Sequence, residues 1–416
     1  MFSSQHSLFF VFFGIWFSCL ITGCSDRKDA DTQRSPSSAL ETFEIAEGFQ
    51  IELVAAEPLV ADPVAMEADE LGNVYVVEMH GYPLDKSGSG KIKLLWDTNN
   101  DGRFDKSVVF AENLMLPTGI MRWKRGVLVT DAPALLYLED SDMDGRADII
   151  DTLLTGFALS NPQHNLNTPV YGPDNWIYLA HEPSVSTKSY EKEFGDRGSA
   201  VFYKAKPDGP RLPDNALGRS VRMRPDDFKL ETVSSYTQFG QTFDNWGHHF
   251  LVSNWNHIFH EVIGYPYLER NKNLLVSGVT ENVSDHRPNA DIFAITRNPE
   301  HQLLTDIGVF TSACGLTWYN GGIFPEYFDS VSFVAEPVNN LVHADIVRDK
   351  GVSFTASRVY QDKEFLASTD PWFRPVNMYV GPDGALYVLD YYRQYIEHPE
   401  WMAEDVVKSG ALYNGS

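Results

Sequence analysis

The stretch Val170-Tyr171-Gly172-Pro173-Asp174-Asn175-Trp176-Ile177-Tyr178-Leu179 reads as a short strand, a tight turn on Gly-Pro-Asp, and a second strand that runs on to His181-Glu182-Pro183. Residues 378–388 (Met-Tyr-Val-Gly-Pro-Asp-Gly-Ala-Leu-Tyr-Val) repeat it almost residue for residue, and residues 65–76 (Ala-Met-Glu-Ala-Asp-Glu-Leu-Gly-Asn-Val-Tyr-Val) give a third copy. Weaker copies centre on Trp123 to Val129, Phe243 to Val252 and Trp318 to Val334. Apolar runs of strand length bounded by Gly, Pro, Asp and Asn recur throughout, and no long period of 3.6 appears after residue 44.

Six such units over roughly 370 residues make about 62 per unit, enough for four strands each. Further strand candidates, Ile92 to Trp96 and Ser107 to Phe110, fall between the copies. The expected fold is an all-β, six-bladed β-propeller with four-stranded blades over residues 44–416. A β-sandwich has no reason to repeat one hairpin six times. The antiparallel order sorts residues by face. Loops entering first strands and leaving second strands share one mouth, and the turns joining third to fourth strands lie at the other end. Each second strand ends in polar residues, beginning at Glu78, Asp131, His181, Ser253, Glu336 and Asp390. Polar groups converging on one mouth suit a polar-ligand pocket.

The chain has 416 residues, with 33 Lys and Arg against 57 Asp and Glu, a formal charge of 33 − 57 = −24. No basic face can form from so few scattered cations, so nucleic acid is excluded as a partner. Hydrophobic residues at 43% and charged residues at 22% exclude a disordered acidic tail and a multi-span membrane protein.

Leu8 to Leu20 is an apolar run too short to span a bilayer comfortably, followed by Ile21-Thr22-Gly23-Cys24. This resembles a bacterial lipobox, which implies cleavage of residues 1–23, lipidation at Cys24 and a flexible polar tether over 24–43. An ordinary signal peptide containing Cys24 is the alternative. The expected location is the bacterial cell envelope, lipid-anchored and facing the periplasm or cell surface, with Ser25 favouring the outer membrane. Among the three Cys of the chain, Cys314 would then stand alone in the mature protein, with no disulfide.

Two turns carry oxygens at offsets 1, 3, 5 and 9 with Gly at 6, a pattern that wraps a hard cation. They are Asp97, Asn99, Asp101 and Asp105, and Asp140, Asp142, Asp144 and Asp148. Both lie between strands and lack the EF-hand Glu, so weak structural Ca²⁺ sites are expected, with metal-free Asx turns as the alternative. In the loop before Val170, His164 is a candidate general base, and Arg374, within Trp372-Phe373-Arg374-Pro375, is a candidate anion fork.

The stretch Gln163-His164-Asn165 through Gly172-Pro173-Asp174 and Ile177-Tyr178 resembles the loop and hairpin that carry the catalytic histidine of soluble quinoprotein glucose and sorbosone dehydrogenases, six-bladed propellers using pyrroloquinoline quinone. More closely, the chain resembles planctomycete-type membrane-bound dehydrogenase-like propeller proteins. The supporting segments include Gly48 to Ile51, Ser312 to Leu316, Asn340 to His343, Trp372 to Val376 and Tyr391 to Pro399. The resemblance implies that His164 takes a proton from a sugar or polyol hydroxyl while hydride passes to the quinone held by Arg374. Gln163, Asn165, His80, Asn254, Asn340 and Arg393 are the further expected cofactor contacts. Relatives continue into helical repeats and a haem domain, so a separate cytochrome is the expected electron acceptor and the chain could be a C-terminally truncated form. Gln50 to Val54 would then close the last blade. Two other readings stay open. One is a noncatalytic glycan- or protein-binding propeller. The other is a calcium-dependent lactonase-like hydrolase using Glu78, Asp131, Glu336 and Asp390 as metal ligands.

Overall fold

The computed structural model describes residues 33–415 except 272 and 297–307. All six hairpins read from the sequence are present. The repeated Gly-Pro-Asp turn has a mechanical cause. Asp174 Oδ1 accepts the Trp176 amide at 3.2 Å, and its Oδ2 accepts the Tyr178 hydroxyl at 3.0 Å. Asp383 makes the same bonds to Ala385 and Tyr387. The tyrosine ring lies against the turn, so a Cβ on Gly172 or Gly381 would fall 2.6 Å or 2.3 Å from it. Glycine is required there by close approach rather than by φ.

Blade one comprises Pro63–Ala68, Val74–Glu78, Gly90–Trp96 and Lys106–Leu114. Blade two comprises Gly119–Trp123, Gly126–Asp131, Ala134–Glu139 and Ile149–Thr155, and is widened by Ala200–Tyr203 and Arg211–Asp214. Blade three holds Asn167–Tyr171, Ile177–Ala180, Val221–Arg224 and Lys229–Thr232, and blade four Gln241–Phe243, His249–Ser253, Asn256–Glu261 and Thr280–Asn282. Blade five is Cys314–Trp318, Val331–Glu336, Leu341–Lys350 and Leu366–Ser368, with Ser353–Arg358 beside its third strand. The sixth unit is a hairpin only, Pro375–Val380 with Leu386–Asp390. Five blades are therefore built, not the six expected, because the chain after Asp390 turns into coil and short helices instead of third and fourth strands. The first strands of the five blades and of the hairpin nevertheless adjoin one another in a closed ring.

Second strands such as Val74–Glu78 and Val331–Glu336 are buried along their whole length, since neighbouring sheets cover both faces. That is why they read as continuous apolar runs rather than alternating ones. The outer strand Lys106–Leu114 is half exposed.

Gln50–Val54 forms no strand. Instead Phe43–Ile45 pairs with Leu366–Ser368 on the rim of blade five. Pro36–Leu40 is a short helix capped by Ser35, and the Arg34 amide donates to the Tyr392 hydroxyl at 2.9 Å, so the ordered body begins before residue 44. The signal segment 1–23 and Cys24 lie outside the described residues. No helix among the described residues is long and apolar enough to cross a membrane.

The ring closes through polar contacts that the hairpin and the segment after it make with blade one and the residues entering it. Arg393 forks Asp62 through Nε and Nη2, each at 2.8 Å, and both side chains are fully buried. Asn377 Nδ2 donates to the Val64 carbonyl at 3.2 Å, and the Tyr391 hydroxyl to the Met79 carbonyl at 2.7 Å.

Candidate functional site

Strand ends and incoming loops converge on one mouth of the ring, around a cavity of about 390 Å³. His164, in the 3₁₀ turn Pro162–His164 ahead of blade three, lines it. That turn is set by Asn161, whose Oδ1 accepts the Gln163 amide at 3.1 Å, with Pro162 as its first residue. Glu182, just past the second strand of blade three, holds His164 Nδ1 at 2.5 Å. With Nδ1 so engaged, Nε2 is the nitrogen left for a ligand, and no hydrogen bond occupies it among the described residues. A carboxylate behind an imidazole fixes its orientation and stabilises its protonated form, the arrangement of a general base.

Beside His164, the amides and hydroxyl of Asn161, Gln163, Gln238, Asn254 and Ser312 alternate with walls such as Phe239 and Trp401. Gln163 Nε2 donates to the Tyr82 hydroxyl at 2.9 Å, which donates in turn to the Ile396 carbonyl at 2.5 Å. Glu397 also lines the cavity, and burial pushes its carboxyl up to about 7. Cys314 lines it as a buried free thiol, pushed well above its ordinary range by desolvation. Glu397 and Glu400 are the only carboxylates of the lining, and no Lys or Arg belongs to it among the described residues.

Of the expected site residues, the structure brings His164, Gln163 and Asn254 to the cavity. Arg374 is not on the lining. It is completely buried, and its guanidinium donates to the carbonyls of Arg393, Pro337 and Gln394 at 3.0, 2.9 and 2.7 Å, which locks three segments behind the cavity wall. Arg393 is likewise absorbed by Asp62 and the Tyr82 and His80 carbonyls. His80 sits between Asp62 Oδ2 at 2.7 Å and Glu78 Oε2 at 3.0 Å, which raise it to about 9. Asn165 Oδ1 accepts from the Ser160 amide and hydroxyl, shaping the loop. Asn340 Nδ2 donates to the Phe373 and Pro371 carbonyls, tying blade five to the hairpin. These five residues position chain segments rather than line the cavity.

The four carboxylates offered for a central metal are also spent locally. Glu78 accepts the Ala61 amide, Asp131 those of Met115 and Leu116, Glu336 those of Thr311 and Ser312, and Asp390 those of Arg374 and Tyr392. Each clamps the loop entering its own unit. None belongs to a converging metal-ligand group among the described residues, so the channel metal of a lactonase has no ligand set there.

Both acidic turns join third to fourth strands, away from the mouth. In the second, Asp140, Asp142 and Asp144 converge, and Asp144's charge raises the Asp142 carboxyl. In the first, Asp97 accepts the amides of Asn99, Asp101 and Gly102, while Asp105 takes the Thr98 hydroxyl. Asp97, Asp101 and Asp105 form no converging group. Asp148 turns to Ser141 in the same way.

The family model described as Domain of unknown function (DUF7133) matches residues 35–415, and the chain belongs to that family. No curated protein matches the chain. Among solved structures, the chain is similar to the PQQ domain of pyranose dehydrogenase from Coprinopsis cinerea, at 14% identity over 84% of this chain and 94% of that one, TM-score 0.46. It is similar to the PQQ-bound aldose sugar dehydrogenase from Streptomyces coelicolor, at 12% identity over 85% and 92%, TM-score 0.46. It is also similar to the soluble aldose sugar dehydrogenase from Escherichia coli, at 12% identity over 79% and 93%, TM-score 0.43.

Proposed function

We propose that the mouth cavity binds a sugar or polyol and that the protein oxidises one of its hydroxyl groups, with pyrroloquinoline quinone as the hydride acceptor. The observation that carries this reading is the His164–Glu182 pair, with Nε2 left to a cavity lined also by amides, hydroxyls, two carboxylates and flat apolar walls. Amides and hydroxyls suit a polyol, and the aromatic walls suit the apolar face of a sugar ring.

The same donor set fits a quinone in its carbonyl and ring chemistry. Asn161, Gln163, Gln238 and Asn254 offer amide N–H groups, and Phe239 and Trp401 offer flat surfaces. Charge sets a condition, because among the described residues the lining carries two carboxylates and no cationic Lys or Arg. A tricarboxylate quinone is therefore expected to enter together with a cation such as Ca²⁺. When bound, the quinone supplies a two-electron sink for hydride.

His164 Nε2 accepts the substrate hydroxyl proton, and Glu182 stabilises the resulting imidazolium through Nδ1. Glu397, raised to about 7 by burial, is partly protonated at neutral pH and can both donate to and accept from a second hydroxyl.

Export and lipidation at Cys24, an envelope location facing the periplasm and a separate cytochrome acceptor complete the proposal. Cys24→Ser releasing the protein from the membrane fraction would support the anchor, and unchanged fractionation would remove it. The activity is tested by reduction of an artificial acceptor dye by the purified chain supplied with pyrroloquinoline quinone and Ca²⁺. Ligand binding without dye reduction would favour the noncatalytic glycan-binding reading.

A further inference from the structure

Between blades four and five lies a second constellation, separate from the mouth cavity, whose lining includes none of its members. His257 belongs to the third strand of blade four, His343 and Asp345 to the third strand of blade five, and His286 to the loop after Thr280–Asn282. One potential ligand atom from each lies within 4.8 Å of the others. His257 Nε2 is 3.0 Å from Asp345 Oδ2, His343 Nε2 is 3.1 Å from Oδ1, and His286 Nε2 is 3.7 Å from Oδ1. The edge of a tetrahedral site with bonds near 2.1 Å is about 3.4 Å. Two of these separations are already below that edge, and the third is slightly above it.

Two of the three imidazoles have the carboxylate backing that metal centres carry. His343 Nδ1 is held by Glu364 Oε2 at 2.6 Å, and His286 Nδ1 by Asp285 Oδ1 at 3.0 Å. Carboxylates behind imidazoles fix ligand orientation and raise basicity. His286 Nε2 is buried, points to the cluster and has no hydrogen-bond partner, although a buried polar atom left unmatched costs about 1–3 kcal/mol in general. Asp345, Glu364 and Asp285 are the carboxylates gathered here, and Arg358, 3.5 Å from Glu364, is the cation beside them.

We propose that His257, His286, His343 and Asp345 form a structural transition-metal site that takes Zn²⁺ and pins blade four to blade five. Three imidazoles and a carboxylate with no thiolate match the borderline, tetrahedral preference of Zn²⁺ and not the all-oxygen preference of Ca²⁺. Four protein ligands close the coordination sphere, which makes the site a staple and not a catalytic centre. His286, 15% exposed, is the side through which the ion enters.

The test uses the purified full chain, stripped with chelator and dialysed against Zn²⁺ or Co²⁺. The expected result is about one Zn²⁺ per chain, a raised Tm, and visible d–d absorption from a four-coordinate Co²⁺ centre. His286→Ala, at the least buried ligand, should lose the bound Zn²⁺ and the Tm increment while keeping its far-ultraviolet circular dichroism. Asp142→Asn, in the separate acidic turn, should keep both. Should His286→Ala fail to fold, the Co²⁺ spectrum of the unaltered chain decides. A wild type that retains no Zn²⁺, an absent four-coordinate Co²⁺ spectrum, or equal Zn²⁺ retention by folded His286→Ala overturns the proposal.

Discussion

Glu182 Oε1 lies 2.5 Å from Nδ1 of His164, joining the end of one strand of blade three to the loop that opens the same blade. In four other units the carboxylate at the comparable strand end clamps main-chain amides of its own incoming loop. In blade three the polar strand end begins at His181, and the next residue, Glu182, engages an imidazole facing the cavity instead.

Glu182→Gln keeps the shape of the clamp but removes the charge behind the imidazole. The expected outcome is a fall in kcat of about 10²-fold or more, with KM changed little, because orientation and imidazolium stabilisation act on the proton-transfer step. Steady-state kinetics check it, and a loss confined to KM would place Glu182 in binding instead.

The Arg393–Asp62 fork holds the segment after the hairpin to blade one, and both side chains are fully buried. Asp62→Asn leaves the buried Arg393 guanidinium without its carboxylate and should cost about 3–5 kcal/mol, whereas Arg393→Met leaves Asp62 still paired with His80 and should cost less. Urea unfolding measures this. The double variant should cost less than the sum of the two, since each single change already removes the pair.

Much of this was legible in the chain itself. The six hairpins were, because Gly172, Asp174 and Tyr178, like Gly381, Asp383 and Tyr387, encode a turn through contacts within seven residues. His164 was legible from its loop and Glu182 from its strand end, but their pairing depends on how blade three brings the two together. Arg374 and Arg393 look like anion forks in one dimension, yet folding surrounds them with carbonyls and Asp62. The sixth blade was expected from the periodicity of first and second strands, which says nothing about whether third and fourth strands follow. His257 and Asp345 stand 88 residues apart, so no spacing rule could join them.

Burial raises the Glu397 carboxyl from 4.5 to about 7. A raised acid contributes stability that is fully present below its unfolded value and is lost as pH rises through its folded value. Relative to wild type, Glu397→Gln should therefore gain stability between about pH 4.5 and 7, by on the order of 1–3 kcal/mol. Thermal unfolding of both proteins across that range checks it. A difference independent of pH would remove Glu397 as the titrating group.

In the second acidic turn, convergence of Asp140, Asp142 and Asp144 distinguishes it from the first. Ca²⁺ on the order of 1 mM should raise Tm, and Asp144→Asn should abolish the increment. Asp101→Asn should leave the increment unchanged, because the carboxylates of the first turn form no converging group. Calorimetry with and without Ca²⁺ reads the difference.

The central claim is tested most directly by acceptor-dye reduction across a panel of sugars and polyols, using the chain reconstituted with pyrroloquinoline quinone and Ca²⁺. The account predicts turnover that requires both additions and falls by about 10²–10⁴-fold in His164→Ala, while that variant still binds quinone. A wild-type protein that binds the quinone yet reduces no dye with any substrate, or a His164→Ala variant as active as wild type, would contradict it.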